Sequence, residues 1–336
     1  IVIGNIFQQF YSMVDTVIVG KFVGTKALAA VGSTGTIGFL ILGFLMGLTA
    51  GFTVLTSQRF GAGDMPGMRK TVGSAAVLSV IVSVVMTVIS MAFMKPLLIL
   101  MNTPEDIFQD AYKYIMIICA GIFTQVMYNL LAGILRALGN SKTPLYFLLF
   151  SAVLNIVLDL VLIIVFHLGA AGAAYATVIA QGVSALLCLV YIIKKVPILK
   201  LDRWDFKLDG HLVRQQLAIG FPMALQYSIT AIGAMMVQAA LNVLGSVHVA
   251  AFTAANKIEQ VATQVYVALG TTMATYCAQN MGAGKVKRIS RGFRATTIMG
   301  SIYSVVFGVL VFSLMYLFFK PNLKLHRSEE RRVGKE

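Results

Sequence analysis

The chain has 336 residues, of which 58% are hydrophobic and only 12% charged, with a mean hydropathy of +0.84. Soluble domains carry about 25% charged residues, so a surface this poor in charge excludes a protein wetted on all sides and points to lipid as the solvent. The net charge of +14 falls between apolar segments, which favours orientation in a membrane over nucleic-acid binding.

Nine apolar segments are long enough to span a bilayer, at roughly 1–22, 33–58, 71–94, 110–135, 144–166, 170–193, 214–243, 250–280 and 294–319. Backbone groups in lipid must be satisfied within the segment, so each is expected to be a helix. The predicted fold class is an all-α, polytopic membrane protein. The chain begins at Ile1 inside an apolar segment, with no cleavable signal peptide visible. The reading is that the N-terminus is clipped.

In chain order, segment 1 carries Asp15, and segment 2 carries Gly43, Gly47 and Gly51 at four-residue spacing, a tandem GxxxG that lets another helix approach. Segment 4 carries Gln125 and Tyr128 and ends at Arg136, placed to balance the helix C-terminal dipole. Segment 5 carries Asn155 and Asp159, four apart and so on one helix face, and segment 6 carries Thr177. Segment 7 has Gln226 and Gln238, and segment 8 has Lys257 and Glu259. Cys119, Cys188 and Cys277 sit singly inside segments 4, 6 and 8, without disulfide or metal-site spacing.

Two patterns organise the segments. Shifting the chain by 221 residues lays Gln58 on Gln279 and Gly61-Ala62-Gly63 on Gly282-Ala283-Gly284. Six segments separate the copies, so the repeat is parallel, about an axis along the membrane normal. Both Gly-Ala-Gly stretches read as helix stops before turns. The expected organisation is a six-helix lobe at 1–194, a linker at 195–213 and the first three helices of a second lobe at 214–326. A complete second lobe would need three more helices. Residues 327–336 fit no part of the repeat and are expected to be non-native. The second pattern is charge. Sixteen Lys and Arg lie in the connections after segments 2, 4, 6 and 8, and six lie on the opposite side. That puts the first set in the cytoplasm.

An ionisable residue at lipid depth is costly, which makes Asp15 and Asp159 functional candidates. With Asn155 and Thr177 they supply oxygen ligands or hydrogen-bond partners for a proton or a hard cation. Loss of solvent favours the neutral form of a carboxylic acid, so such a site exchanges protons nearer neutral pH than an exposed one. The plain alternative is that the two acids only join helices. Lys257 and Glu259 are two apart, so each pairs elsewhere or faces a cavity. Gln125, Tyr128, Gln226 and Gln238 are weaker cavity candidates.

The stretches GNIFQQFYSMVDTVIVGKFVG, SQRFGAG, LRALGNSKTP, AAFTAANKIEQ and AQNMGAG, with N-x-x-x-D in segment 5, together resemble the multidrug and toxic compound extrusion (MATE) family over residues 1–325. The resemblance implies twelve helices in two lobes, with about nine helices present here. It implies rocker-switch export of organic cations and xenobiotics in exchange for H+ or Na+, with no other cofactor and no enzyme activity. It places a cation site at Asp15, Asn155, Asp159 and Thr177. The implied setting is the inner membrane of a bacterium, as a monomer, with cationic or amphipathic drugs and the bilayer as partners and no nucleic acid. Some members carry an acid in the seventh helix, which this chain lacks, and that favours coupling through the first lobe. The family's first-helix proline would fall just before Ile1. The runner-up is a flippase for lipid-linked oligosaccharide in the same superfamily. Its anionic substrate would require cavity bases, and only Lys257 offers one.

Overall fold

In a computed structural model, the backbone is described at residues 2–101, 103–243 and 246–333. Side chains are described there except at scattered positions within 1–12, 238–261 and 314–333. Gln238, Lys257 and the side chains of the last ten residues lie outside this set. The described regular structure is helical: α1 (Val2–Phe22), α2 (Thr25–Gly61), α3 (Met65–Leu100), α4 (Glu105–Ala120), α5 (Ile122–Ala137), α6 (Lys142–Leu160), α7 (Gly169–Lys195), α8 (Gly210–Val243), α9 (Ser246–Gly282) and α10 (Val286–Val333). Residues 1–286 form one compact unit, and 287–336, most of α10, form another.

Among the described residues, six helices are long and apolar enough to cross a membrane: α2, α3, α6 with its extension to Val165, α7, α8 to Val237, and α10 to Ser313. The bent pair α4–α5 meets the same length and composition requirement when its two helices are taken together as one broken span. The helices α1 and α9 fall outside this set. Both are rich in polar residues, Gln8, Gln9 and Asp15 in one and Glu259, Gln260 and Gln264 in the other.

Segment 4, expected as one helix, bends by 45° at Gly121. A Cβ there would collide with Val178 of α7, so the small residue lets α7 press into the bend. Segment 5 also departs from a plain α-helix. After Leu160 it widens into a π turn at Val161–Val165, where Phe166 N–H reaches back to Val161 C=O at 3.1 Å.

Helix stops use glycine as the sequence indicates. Gly63 and Gly284 adopt φ of +74° and +69°, a left-handed conformation open to residues without Cβ. The N–H groups of Asp64 and Gly63 return to the carbonyls of Arg59 and Phe60, and those of Lys285 and Gly284 to Asn280 and Met281. These are Schellman endings, made by equivalent residues of the two copies.

Lipid tails are as apolar as leucine, so the helices associate by close packing and internal hydrogen bonds. The tandem GxxxG of α2 does this. Gly43 lies on Tyr227, Gly47 on Met223 and Ala224, and Gly51 on the backbone of Gly220, so α2 and α8 run antiparallel in backbone contact. Phe52, Met68, Leu130 and Ile134 form the fully buried centre of a cluster joining α2, α3, α5 and α7.

Candidate functional site

Two register relations bring the buried acids together. Gly4 of α1 lies against Leu145 and Leu148 at the start of α6. Eleven residues later on α1, and a similar distance along α6, the Asp15 and Asp159 carboxyl groups meet. The two helices therefore run parallel, which brings distant residues to the same depth. On the other side, α6 and α7 run antiparallel. Ser151 Oγ donates to Ala180 C=O at 2.8 Å, and Ser184 Oγ to Phe147 C=O at 3.2 Å. One turn further along this register, Asn155 is level with Thr177.

Asp159 and Asn155 are buried, at 0% and 1% exposure, while Asp15 and Thr177 are half-buried. Two carboxyl groups in contact form a hydrogen bond only if one of them holds a proton. Apart from that contact, both Asp159 oxygens, Asp15 Oδ1, and both Oδ1 and Nδ2 of Asn155 have no protein partner. Buried polar groups are nearly always satisfied in proteins. Such a group of unpartnered polar atoms can receive a species with its own hydrogen-bonding or coordinating capacity. Oxygens from carboxylates, an amide and a hydroxyl fit a proton carried on water or a hard monovalent cation. The π turn begins two residues after Asp159, and such turns are frequent at functional positions.

The other candidates scatter. Tyr128 is buried in the apolar cluster with Phe52 and Met68. Gln125 is half-buried and Gln226 exposed. Glu259 is exposed, and its carbonyl accepts from Thr263 Oγ1 at 2.9 Å. One residue on, Gln260 Oε1 accepts from Gln9 Nε2 at 3.2 Å, tying α9 to α1. Arg136 occupies the last turn of α5.

Sequence reasoning missed Gln181. It is buried, its Oε1 is unpartnered, and it lies four residues after Thr177 on α7. The i, i+4 spacing that singled out Asn155 and Asp159 would have found it.

The wider chain has known relatives. The MatE family model matches residues 1–161 and 218–323. The probable multidrug resistance protein YpnP of Bacillus subtilis (strain 168) is 34% identical over 293 residues, covering 86% of this chain and 64% of YpnP. YoeA of the same organism, also a probable multidrug resistance protein, is 29% identical over 98% of this chain and 72% of its own length. This chain thus spans roughly two thirds of these relatives. Among solved structures, the outward-facing conformation of a multidrug resistance MATE family transporter of the MOP superfamily superposes with a TM-score of 0.86. That match covers 98% of this chain and 74% of the other at 24% identity, and it supports the fold. The chain is a multi-pass membrane protein and belongs to the MatE family, a family of transporters and not of enzymes.

Proposed function

We propose that this chain is the larger part of a secondary antiporter that exports organic cations and other amphipathic xenobiotics in exchange for H+ or Na+. The observation that carries the reading is the meeting of Asp15 and Asp159 beside the unpartnered Asn155. A cation entering this cradle satisfies polar atoms that are otherwise orphaned, and so stabilises whichever arrangement of α1 against α6 forms the cradle best. An ion shifts a two-state equilibrium only by its differential affinity for the two states. The pairing of α1 with α6 supplies such a difference, because movement of α1 would break the contact.

Alternating access requires one end of the helices to close while the other opens. In the orientation favoured by the basic loops, the end of α2, the start of α8 and the end of α9 are cytoplasmic. Contacts gather there: Gly51 with Gly220, Gly61 with Gln279, Gly282 with Gln58, and Gln279 Nε2 with Ala137 C=O at 2.8 Å. This supports a state closed toward the cytoplasm. The names of YpnP and YoeA support drugs as the exported class.

The test is efflux of ethidium or norfloxacin from vesicles holding a full-length version, with a pH gradient and a Na+ gradient imposed separately. Asp15→Asn and Asp159→Asn should each abolish ion-driven efflux while leaving the protein folded in the membrane. Undiminished efflux in either variant refutes the coupling role. Dependence on only one gradient identifies the ion.

A further inference from the structure

A hollow lies away from the carboxylates. It has a volume of about 840 Å³ and is bounded by α3, α5, α7 and the segment that follows α7. None of its lining belongs to α1 or α6. The walls are apolar, built from residues such as Met127, Leu131, Leu189 and Ile193, and a single cation, Lys200, stands among them. Leu189 and Ile193 are exposed, so the hollow opens toward lipid.

The segment forming its rim is fixed in place. Arg69 Nε of α3 donates to Ile198 C=O at 3.1 Å. Gly73 of α3 lets the backbone at Asp205 pack directly on the helix, where a Cβ would collide. The short turn Arg203–Phe206 is closed by a capping box, with Asp202 N–H donating to Asp205 Oδ2 at 2.9 Å. Asp209 Oδ1 likewise accepts from His211 N–H at 2.9 Å. The acids of the segment are thus engaged with its own backbone. Its bases are not: Lys200, Arg203 and Lys207 are exposed and form no ion pair among the described residues. Beside them stands Trp204, 78% exposed and the only tryptophan of the chain. Tryptophan with lysine and arginine at a helix end marks the level of lipid headgroups.

We propose that this hollow binds an anionic membrane phospholipid, with an acyl chain in the groove and the headgroup on Lys200, Arg203 and Lys207. The groove supplies apolar wall for the chain and the rim supplies unpaired positive charge for the phosphate. Charge complementarity selects an anionic headgroup over a zwitterionic one. The site needs only that the chain lies in a bilayer, and is independent of the transport reading and of which face is cytoplasmic.

Trp204 makes the test site-specific. The 336-residue chain is reconstituted in vesicles of phosphatidylcholine containing either brominated phosphatidylglycerol or brominated phosphatidylcholine at equal mole fraction. Trp204 fluorescence should be quenched more strongly by the brominated phosphatidylglycerol. Equal quenching by the two lipids overturns the anionic preference, and no quenching by either overturns the placement at the headgroup level. These readouts need no variant. In the triple variant Lys200→Gln, Arg203→Gln, Lys207→Gln, the preference should fall by roughly fivefold per charge removed. Filling the groove with Ala76→Phe should reduce quenching by both lipids. Undiminished quenching in that variant shows that the lipid lies outside the groove, and the site is then refuted.

Discussion

At Asp15 and Asp159 the sequence and the structure contribute different things. Each acid was legible as an expense at lipid depth, and Asn155 was legible because it shares a helix face with Asp159. Their meeting was not legible. It depends on α1 lying parallel to α6, a pairing across more than a hundred residues that local pattern does not encode. Gln181 lies four residues after Thr177, a spacing that was legible; its burial was not, because it depends on which neighbours α7 packs against. Outside the membrane, Asp64 shows a residue whose work is local. Its carboxylate accepts from Gly67 N–H at 2.9 Å, capping α3, and from Arg59 Nη1 at 2.7 Å. The Gly67 amide, and then Arg59, hold its carboxyl below the usual carboxylate range. A depressed folded pKa gives stability that is complete above the unfolded pKa and is lost as pH falls through the folded value. Asp64→Ala should therefore lower stability at pH 7 by about 1 kcal/mol or less, since the pair is partly exposed. The difference from wild type should vanish at low pH. Thermal melts in detergent at neutral and acid pH check this, and a deficit that persists unchanged in acid would assign the loss to something other than the carboxylate.

At the scale of helices, spans and stops were readable because lipid imposes length and glycine marks ends. The tandem GxxxG was readable as a packing face, though not its partner, which the fold makes α8. The bend at Gly121 and the π turn after Asp159 were not readable. The first lies where α7 packs against Gly121 through Val178, which is remote in sequence. The second depends on how the end of α6 closes over the start of α7, where Gly172 packs on Leu162 and Ile163. The GxxxG contact makes a graded prediction along α2. At Gly51 a side chain would enter the backbone of Gly220, whereas Gly35 faces open space. Overpacking of this kind costs about 1–3 kcal/mol. Gly51→Leu should lower the melting temperature in detergent and the yield of monodisperse protein, and Gly35→Leu should leave both near wild type. Equal behaviour of the two variants would mean that α2 and α8 do not pack through this stripe.

For the unit formed by residues 1–286, the repeat has a consequence that neither copy has alone. Gly61 packs on Gln279 and Gly282 on Gln58, and these four residues are two pairs related by the shift of 221. A contact made by residue i of one copy on residue j of the other is returned by j on i, which is the signature of a two-fold relation. The same relation links Gln9–Gln260 to Phe39 and Thr230, one turn beyond the contact of Gly43 with Tyr227. Reciprocal contacts should be reciprocal in energy. Adding a side chain at either glycine drives it into a backbone carbonyl of the other copy, so Gly61→Leu and Gly282→Leu should loosen this end of the molecule alike. Cys277 reports on it: the residue is half-buried on α9 near Gln279, whereas Cys119 and Cys188 are buried. Clashes of about 1–3 kcal/mol correspond to a shift of roughly 5- to 150-fold in the balance between closed and open ends. The rate of Cys277 labelling by a polar maleimide should rise by comparable factors in the two variants. A rise in one variant alone would show that the contact is held by one copy, and that the two-fold relation is geometric without being energetic.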